Sequence, residues 1–346
     1  MNPPRDFQPA CPAPLSGGRV TLAHGGGGRL MHSLVREVFA SAFHSSADHD
    51  GAVAQVKAGR IATTTDGYVV RPMFFPGGDI GSLAVHGTLN DLAMCGARPI
   101  ALSCALVLEE GLPLATLERV VDSIANAARE AAVPVATGDT KVVERGKGDG
   151  VFVTTSGIGL VEGAIALRPD RVCTGDAILV SGSIGLHGAA ILSVREGIRF
   201  ESDLISDSAW LGPLVATLLE AVPDAHCLRD PTRGGVGAVL HEIARGAGLE
   251  IEIDDAAIPV DRSVRAACEL LGLDPFFLAC EGRCVAFVAE RDVDRALAAL
   301  HAHPLGRDAA RIGRVLGGPA RVCVRTRMGG RRLLVLPAGD PLPRIC

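Results

Sequence analysis

The residues best suited to chemistry in this 346-residue chain are its last one and a set of acidic side chains far ahead of it. Cys346 closes the tail Pro341-Leu342-Pro343-Arg344-Ile345-Cys346, where a thiol has little core to pack into and can instead carry or attack a group. Proline lacks the N–H and fixes φ, so Pro341 and Pro343 resist helix and central-strand pairing and bias the tail towards an extended form. Fully extended, the chain from Pro337 onward spans on the order of 30 Å, enough to carry a thiol between two sites. The acidic residues recur where a strand runs into a turn: Thr65-Asp66-Gly67, Asn90-Asp91, Thr137-Gly138-Asp139-Thr140-Lys141 and Arg229-Asp230-Pro231-Thr232-Arg233-Gly234-Gly235. Carboxylates on separate loops can converge on Mg2+, which takes oxygen ligands and shares them with substrate phosphates. Lys141 and Arg233 suit phosphate charge. Each motif alone is ordinary turn chemistry, because Asp beside Gly or Pro is common in turns. Their number points to a nucleotide site.

Two further clusters weigh less. His24-Gly25-Gly26-Gly27-Gly28 sits between strand-like Arg19-Val20-Thr21-Leu22 and a helical pattern through Leu30, Leu34, Val35, Val38 and Phe39. Glycines there permit close backbone approach, and a helix N-terminus favours anions. The run fits no phosphate-loop fingerprint, so a flexible connector accounts for it equally well. Cys280 and Cys284 form a lone C-x3-C, whereas zinc sites ordinarily need two such pairs or added histidines. The ten cysteines are scattered without a secreted context, which favours reduced thiols, mostly small buried hydrophobes.

These residues must be positioned by a large globular framework. Hydrophobic content of 48%, charged content of 21% and a net charge of −5 describe a folded protein. One Trp, one Tyr and ten Phe, with an acidic balance, argue against a nucleic-acid footprint. No apolar run is long enough for a membrane span and Met1-Asn2-Pro3-Pro4-Arg5-Asp6 lacks a signal pattern, so the expected compartment is the cytoplasm. Periodicity predicts strands over 60–70, 100–108, 133–143 and 151–160, with helices over 81–95 and 114–131. A turn-rich stretch over 163–175 then marks a domain boundary. Beyond it come strands over 177–181, 249–253, 284–289, 321–326 and 331–336, and helices over 186–195, 209–221, 235–247 and 262–271. The expected fold class is α+β: a disordered leader (1–18), two mixed domains (19–164 and 165–336) and a mobile tail (337–346).

Taken together, these segments resemble the hydrogenase maturation carbamoyl dehydratases, the HypE family. That family belongs to the superfamily of aminoimidazole ribonucleotide synthetase and selenophosphate synthetase. The likeness is carried by Leu22-Ala23-His24-Gly25, Phe74-Phe75-Pro76-Gly77-Gly78, Leu108-Glu109-Glu110-Gly111-Leu112-Pro113, Thr137 to Val143, Leu228-Arg229-Asp230, Thr232-Arg233-Gly234-Gly235, His303-Pro304-Leu305-Gly306 and Pro341 to Cys346. It implies aminoimidazole ribonucleotide synthetase-like domains with a flexible C-terminal tail, the first binding ATP and mediating a homodimer, and ATP and Mg2+ as cofactors. It also implies a reaction. A partner carbamoyltransferase, HypF, places a carbamoyl group on the terminal thiol; ATP drives its dehydration to a thiocyanate; the cyano group passes to iron on the HypC–HypD complex. By resemblance, Asp66, Asp91, Asp139 and Asp230 serve Mg2+ and nucleotide. Gly25, Gly27, Gly28, Asn90, Gly138, Thr140 and Arg233 line the nucleotide, Lys141 binds the transferring phosphate or the imidate, and Glu281 is the base.

Departures from the family pattern are local. Gly26 stands where serine is usual, and Cys280-Glu281-Gly282-Arg283 replaces Asn-Glu-Gly-Lys, with Cys280 read as space-filling. Leu186 replaces an acidic residue ahead of His187, which is expected to be buried or capping. Two rival readings stay open: a small-molecule ATP-dependent synthetase or kinase with Cys346 incidental, and a non-catalytic adaptor that docks through its terminal cysteine.

Overall fold

A computed structural model describes residues 18–21, 34–43, 59–197, 204–337 and 344–346. Gly25, Gly27 and Gly28, the expected leader up to residue 17 and tail residues 338–343 lie outside the described residues. The fold is α+β, as the sequence indicates.

The N-terminal half runs β1 (Arg60–Tyr68), β2 (Phe74–Phe75), β3 (Gly78–Asp79), α1 (Ile80–Met94), β4 (Ala97–Glu109), α2 (Leu114–Glu130), β5 (Val135–Val143) and β6 (Val151–Val161). Its four-stranded sheet has the order β1-β6-β4-β5, antiparallel except for the parallel β4–β5 pair. Successive strand residues point to opposite faces, so Leu102, Cys104, Leu106 and Leu108 of β4 all go under the helices. The opposite face carries Ile61, Thr63, Thr65, Thr154, Ser156 and Ile158, and Ile61 is 61% exposed. Asp79 starts α1 with a capping box: its Oδ1 accepts from Gly81 N (2.7 Å) and Ser82 N (3.1 Å), a cap worth about 1 kcal/mol. Gly138 is required by close strand approach, since a Cβ there would lie 2.2 Å from the Cys104 carbonyl oxygen.

The C-terminal half contains β7 (Ala177–Val180), α3 (Leu186–Arg195), α4 (Gly212–Ala221), β8 (Cys227–Arg229), α5 (Gly235–Ala247), β9 (Glu250–Asp254), α6 (Arg262–Leu271), β10 (Val285–Val288), α7 (Val293–His301), β11 (Ala310–Leu316), β12 (Arg321–Arg325) and β13 (Arg331–Leu333). The sheet order is β13-β12-β9-β11-β7-β10-β8. β7 and β10 are buried on both faces, with Ile178, Val180 and Phe287 packed beneath α5, and Leu179, Ala286 and Val288 beneath α4 and α7. Such strands read as continuous apolar runs. β11 and α7 fall where the sequence periodicity predicts no element. A register shift between Arg311 and Gly313 explains β11, because a bulge breaks the alternation a strand is recognised by.

The halves are stitched together by the segment 204–211. Ser206 N donates to Pro76 O (2.9 Å), His86 Nδ1 meets Ser208 Oγ (3.0 Å), and Asn90 of α1 donates to Ala209 O (3.0 Å) and Glu281 O (3.3 Å) while accepting from Leu211 N (2.8 Å). One helix face therefore fixes the connector that the site depends on.

Candidate functional site

The alternation of β1 turns Thr64, Asp66 and Tyr68 to the helix-covered face of the sheet, towards the last turns of α1. Thr64 Oγ1 donates to Asp91 Oδ2 (2.6 Å), and Tyr68 and Thr88 each reach Asp66 Oδ2 at 3.4 Å. From the other half, β8 ends at Asp230 and the connector into β10 brings Glu281. These acids sense one another. Burial lifts the Asp91 carboxyl to about 6, eased by its Thr64 hydrogen bond and reinforced by Asp66. Burial, then Asp91, lifts Asp230 to about 7, with Arg229 opposing. Glu281 is pushed far above the carboxylate range by burial and then by Asp230, Asp207, Asp66 and Asp91. Tyr68 is likewise pushed up by burial and by the neighbouring acids.

Glu281 Oε1 is buried without a hydrogen-bond partner among the described residues. A buried orphan carboxylate oxygen beside several acids raised by burial and mutual repulsion lacks counter-charge, and a hard divalent cation would supply it. Asp66, Asp91 and Asp230 therefore fit Mg2+ by donor type. Among the described residues no three acids already converge on one point. An ion would have to share waters or phosphate oxygens with them, as Mg2+ commonly does.

The backbone of Glu281 is held by Asp207, whose Oδ1 accepts its N–H (3.1 Å) and whose Oδ2 lies 3.7 Å from Arg283 Nε. Gly282 allows this approach, since a Cβ would sit 1.7 Å from the Asp207 carbonyl oxygen. Cys280 fills space: its buried sulfur accepts from Gly185 N (3.0 Å), and burial pushes the thiol up.

Asp139 and Lys141 stand apart from this cluster. They pair with Ala105 and Val107 of β4 on the opposite sheet face, and β5 lies three strand spacings from β1, about 14 Å. There Lys141 Nζ contacts both carboxylate oxygens of Asp139 (2.8 and 2.7 Å), which holds that carboxyl below its usual range. Thr140 points inward and is buried. Asn90 spends its amide on the seam between the halves. Arg233 is exposed at the start of α5, where Gly234 and Gly235 have positive φ and no side chain caps the open N–H groups, a local anion-binding geometry.

The chain end is docked just past the end of β1. Val69 N donates to Cys346 O (3.3 Å) and Arg71 N to Arg344 O (3.2 Å), while Ile345 is buried in the N-terminal core. Val69 lies three residues beyond Asp66, about 10 Å along an extended strand. Sequence reasoning places His187 only as a buried or capping residue. It is buried, and its Nε2 meets Ile345 O at 2.8 Å while Nδ1 meets Ser206 Oγ at 2.8 Å. Asp207 and Arg195 carry no sequence signal, because their partners are remote in the chain.

The two α+β halves are those of a known class, the AIR synthase related proteins. The N-terminal domain of that family matches residues 48–161 and the C-terminal domain residues 174–324. Within it the chain belongs to the HypE family, enzymes named carbamoyl dehydratases. It is 53% identical over 336 residues to carbamoyl dehydratase HypE of Azotobacter vinelandii, covering 96% of this chain and 98% of that protein. A crystal structure of hydrogenase maturation protein HypE in complex with ATP superposes with a TM-score of 0.91 at 47% identity, covering 94% of this chain and 99% of the other. HypE from a HypE–HypF complex gives a TM-score of 0.79 at 42% identity, covering 88% of this chain and all of that one. No helix among the described residues is long and apolar enough to cross a membrane.

Proposed function

We propose that the chain uses ATP to dehydrate a carbamoyl group carried on its own Cys346, yielding a protein thiocyanate for the iron centre of a nickel–iron hydrogenase. The observation that carries the reading is the docked chain end, which accepts from the amide of Val69, the residue that follows the strand bearing Asp66. The amide oxygen of a thiocarbamate is a poor leaving group. Its attack on the γ-phosphorus of ATP releases ADP and gives an O-phosphorylated imidate as one N–H proton leaves. Loss of phosphate with the second N–H proton then forms the C≡N bond. Glu281, buried among acids that raise its affinity for protons, takes the proton from nitrogen once it is ionised. Asp66, Asp91 and Asp230 hold Mg2+, which when bound would offset phosphate charge. Arg233 and the open N-terminus of α5 take phosphate oxygens.

Lys141 and Asp139 lie on the open sheet face, so they reach this site from a second copy in a homodimer packed through that face. HypF loads the thiol, and HypC–HypD accepts the cyano group, in the cytoplasm. Support for ATP and for HypF comes from the related HypE structures that contain them. Incubation with HypF, carbamoyl phosphate and ATP should add about 43 Da and then convert this to about 25 Da on intact mass analysis, if phosphoryl transfer drives the dehydration. Cys346→Ala should show neither adduct, and persistence of both would remove Cys346 from the reaction.

A further inference from the structure

The backbone oxygens of the docked tripeptide, the carbonyls of Arg344 and Ile345 and a carboxylate oxygen of Cys346, are held by the body of the protein. Cys346 O accepts from Val69 N, Arg344 O from Arg71 N and from the Arg195 guanidinium, and Ile345 O from His187. A carbonyl only accepts, so His187 Nε2 carries the proton and Nδ1 of the neutral ring accepts from Ser206 Oγ. Ser206 in turn accepts from Ser208 N (3.1 Å), and Phe75 meets the imidazole edge-on at 5.3 Å, so the ring cannot turn away. Burial lowers the affinity of His187 for a second proton. Arg195 Nε also donates to Arg71 O (2.6 Å), so one side chain ties the tail to the exit of β1.

The side chains divide differently. Ile345 is 3% exposed, whereas Arg344 lies along the surface, with Nε on Val69 O (3.0 Å) and an ion pair to Asp149. The Val69 and Arg71 amides bond to Cys346 and Arg344 with the two chain directions opposed, so main-chain bonds give affinity and one apolar pocket gives selectivity.

We propose that His187 and Arg195 form a clamp that selects a C-terminal segment by the two carbonyls ahead of its terminal carboxylate and by an apolar residue next to the end, so that a separate peptide ending Pro-Arg-Ile-Cys can replace the chain's own tail. The substrate class of the site is thus a C-terminal thiol peptide, presented in cis or in trans. This rests on Cys346 being the carrier, but the test needs no turnover.

Hydrogen exchange of the Val69 and Arg71 amides reports docking directly in the full-length protein, without ATP or partner. Ile345→Asp, on the tail itself, and Arg195→Ala, at a half-buried site, should each speed that exchange by about tenfold or more. His187→Gln keeps a donor for the carbonyl and an acceptor for Ser206, and should stay protected where His187→Leu does not. The peptide Leu-Pro-Arg-Ile-Cys should restore protection to the Ile345→Asp protein, and Leu-Pro-Arg-Asp-Cys should not. Unchanged exchange in Ile345→Asp and Arg195→Ala, or equal restoration by both peptides, would overturn the clamp. A peptide that binds while Cys346 never acquires a cyano group would leave the clamp standing and remove the carrier reading.

Discussion

Glu281 and Asp230 are carboxyl groups kept where water cannot solvate their charge, and this fixes both their chemistry and their cost. Glu281→Gln keeps the shape but removes the proton acceptor, so dehydration should fall by about 10^2–10^4-fold while HypF-dependent loading continues; single-turnover mass analysis separates the two. Lys141→Ala should also leave loading intact and slow dehydration by about 10^2–10^3-fold, and a wild-type rate would exclude Lys141 from the mechanism. For pH, Asp91 titrates near 6 and Asp230 near 7 instead of the ordinary value of 3.8. The folded state then holds more protons than the unfolded chain between about pH 4 and 7, so metal-free stability falls as pH rises through that window. Asp230→Asn should accordingly melt higher than wild type at pH 8 and close to it at pH 4, and saturating Mg2+ should narrow the pH 8 gap; no gap at pH 8 would mean that Asp230 is not repelled. Asp66, Asp91 and Asp230 could be picked out as acids in short polar motifs, but only Asp230 follows a strand end as expected; Asp66 lies within β1 and Asp91 within α1. Asp207 and His187 could not be picked out, because their partners, Glu281 and Ile345, lie 74 and 158 residues away.

At the scale of elements, α1 acts as a strut. Asn90→Ala would strand Leu211 N and the Ala209 carbonyl and leave the Glu281 carbonyl to Ala209 N alone, and should cost about 2–4 kcal/mol in denaturant unfolding. α1, α2, α5 and the strands of the first sheet were readable from periodicity. β11 was hidden by its bulge, and β8, three residues long, by brevity. The tight packing of Gly282 on Asp207 was also invisible, because a glycine beside a glutamate reads equally well as a plain turn.

For the whole molecule, the two α+β halves follow from the order of strands and helices, whereas the geometry of the nucleotide site does not. Asp139 and Lys141 look like neighbours of Asp66 in sequence motifs but occupy the other face of the sheet. If a second copy supplies them, mixing Lys141→Ala and Asp230→Asn proteins by co-expression should restore about a quarter of the sites, since each mixed dimer regains one intact site. A mixture with no activity would place both residues in one chain's site. In the proposed reaction the carbamoyl oxygen leaves as phosphate. Cys346 carbamoylated with 18O-labelled cyanate and then given ATP provides the direct measurement. Released phosphate should be heavier by about 2 Da as the Cys346 peptide becomes a thiocyanate. Unlabelled phosphate, with the cyano group nevertheless formed, would contradict that reaction.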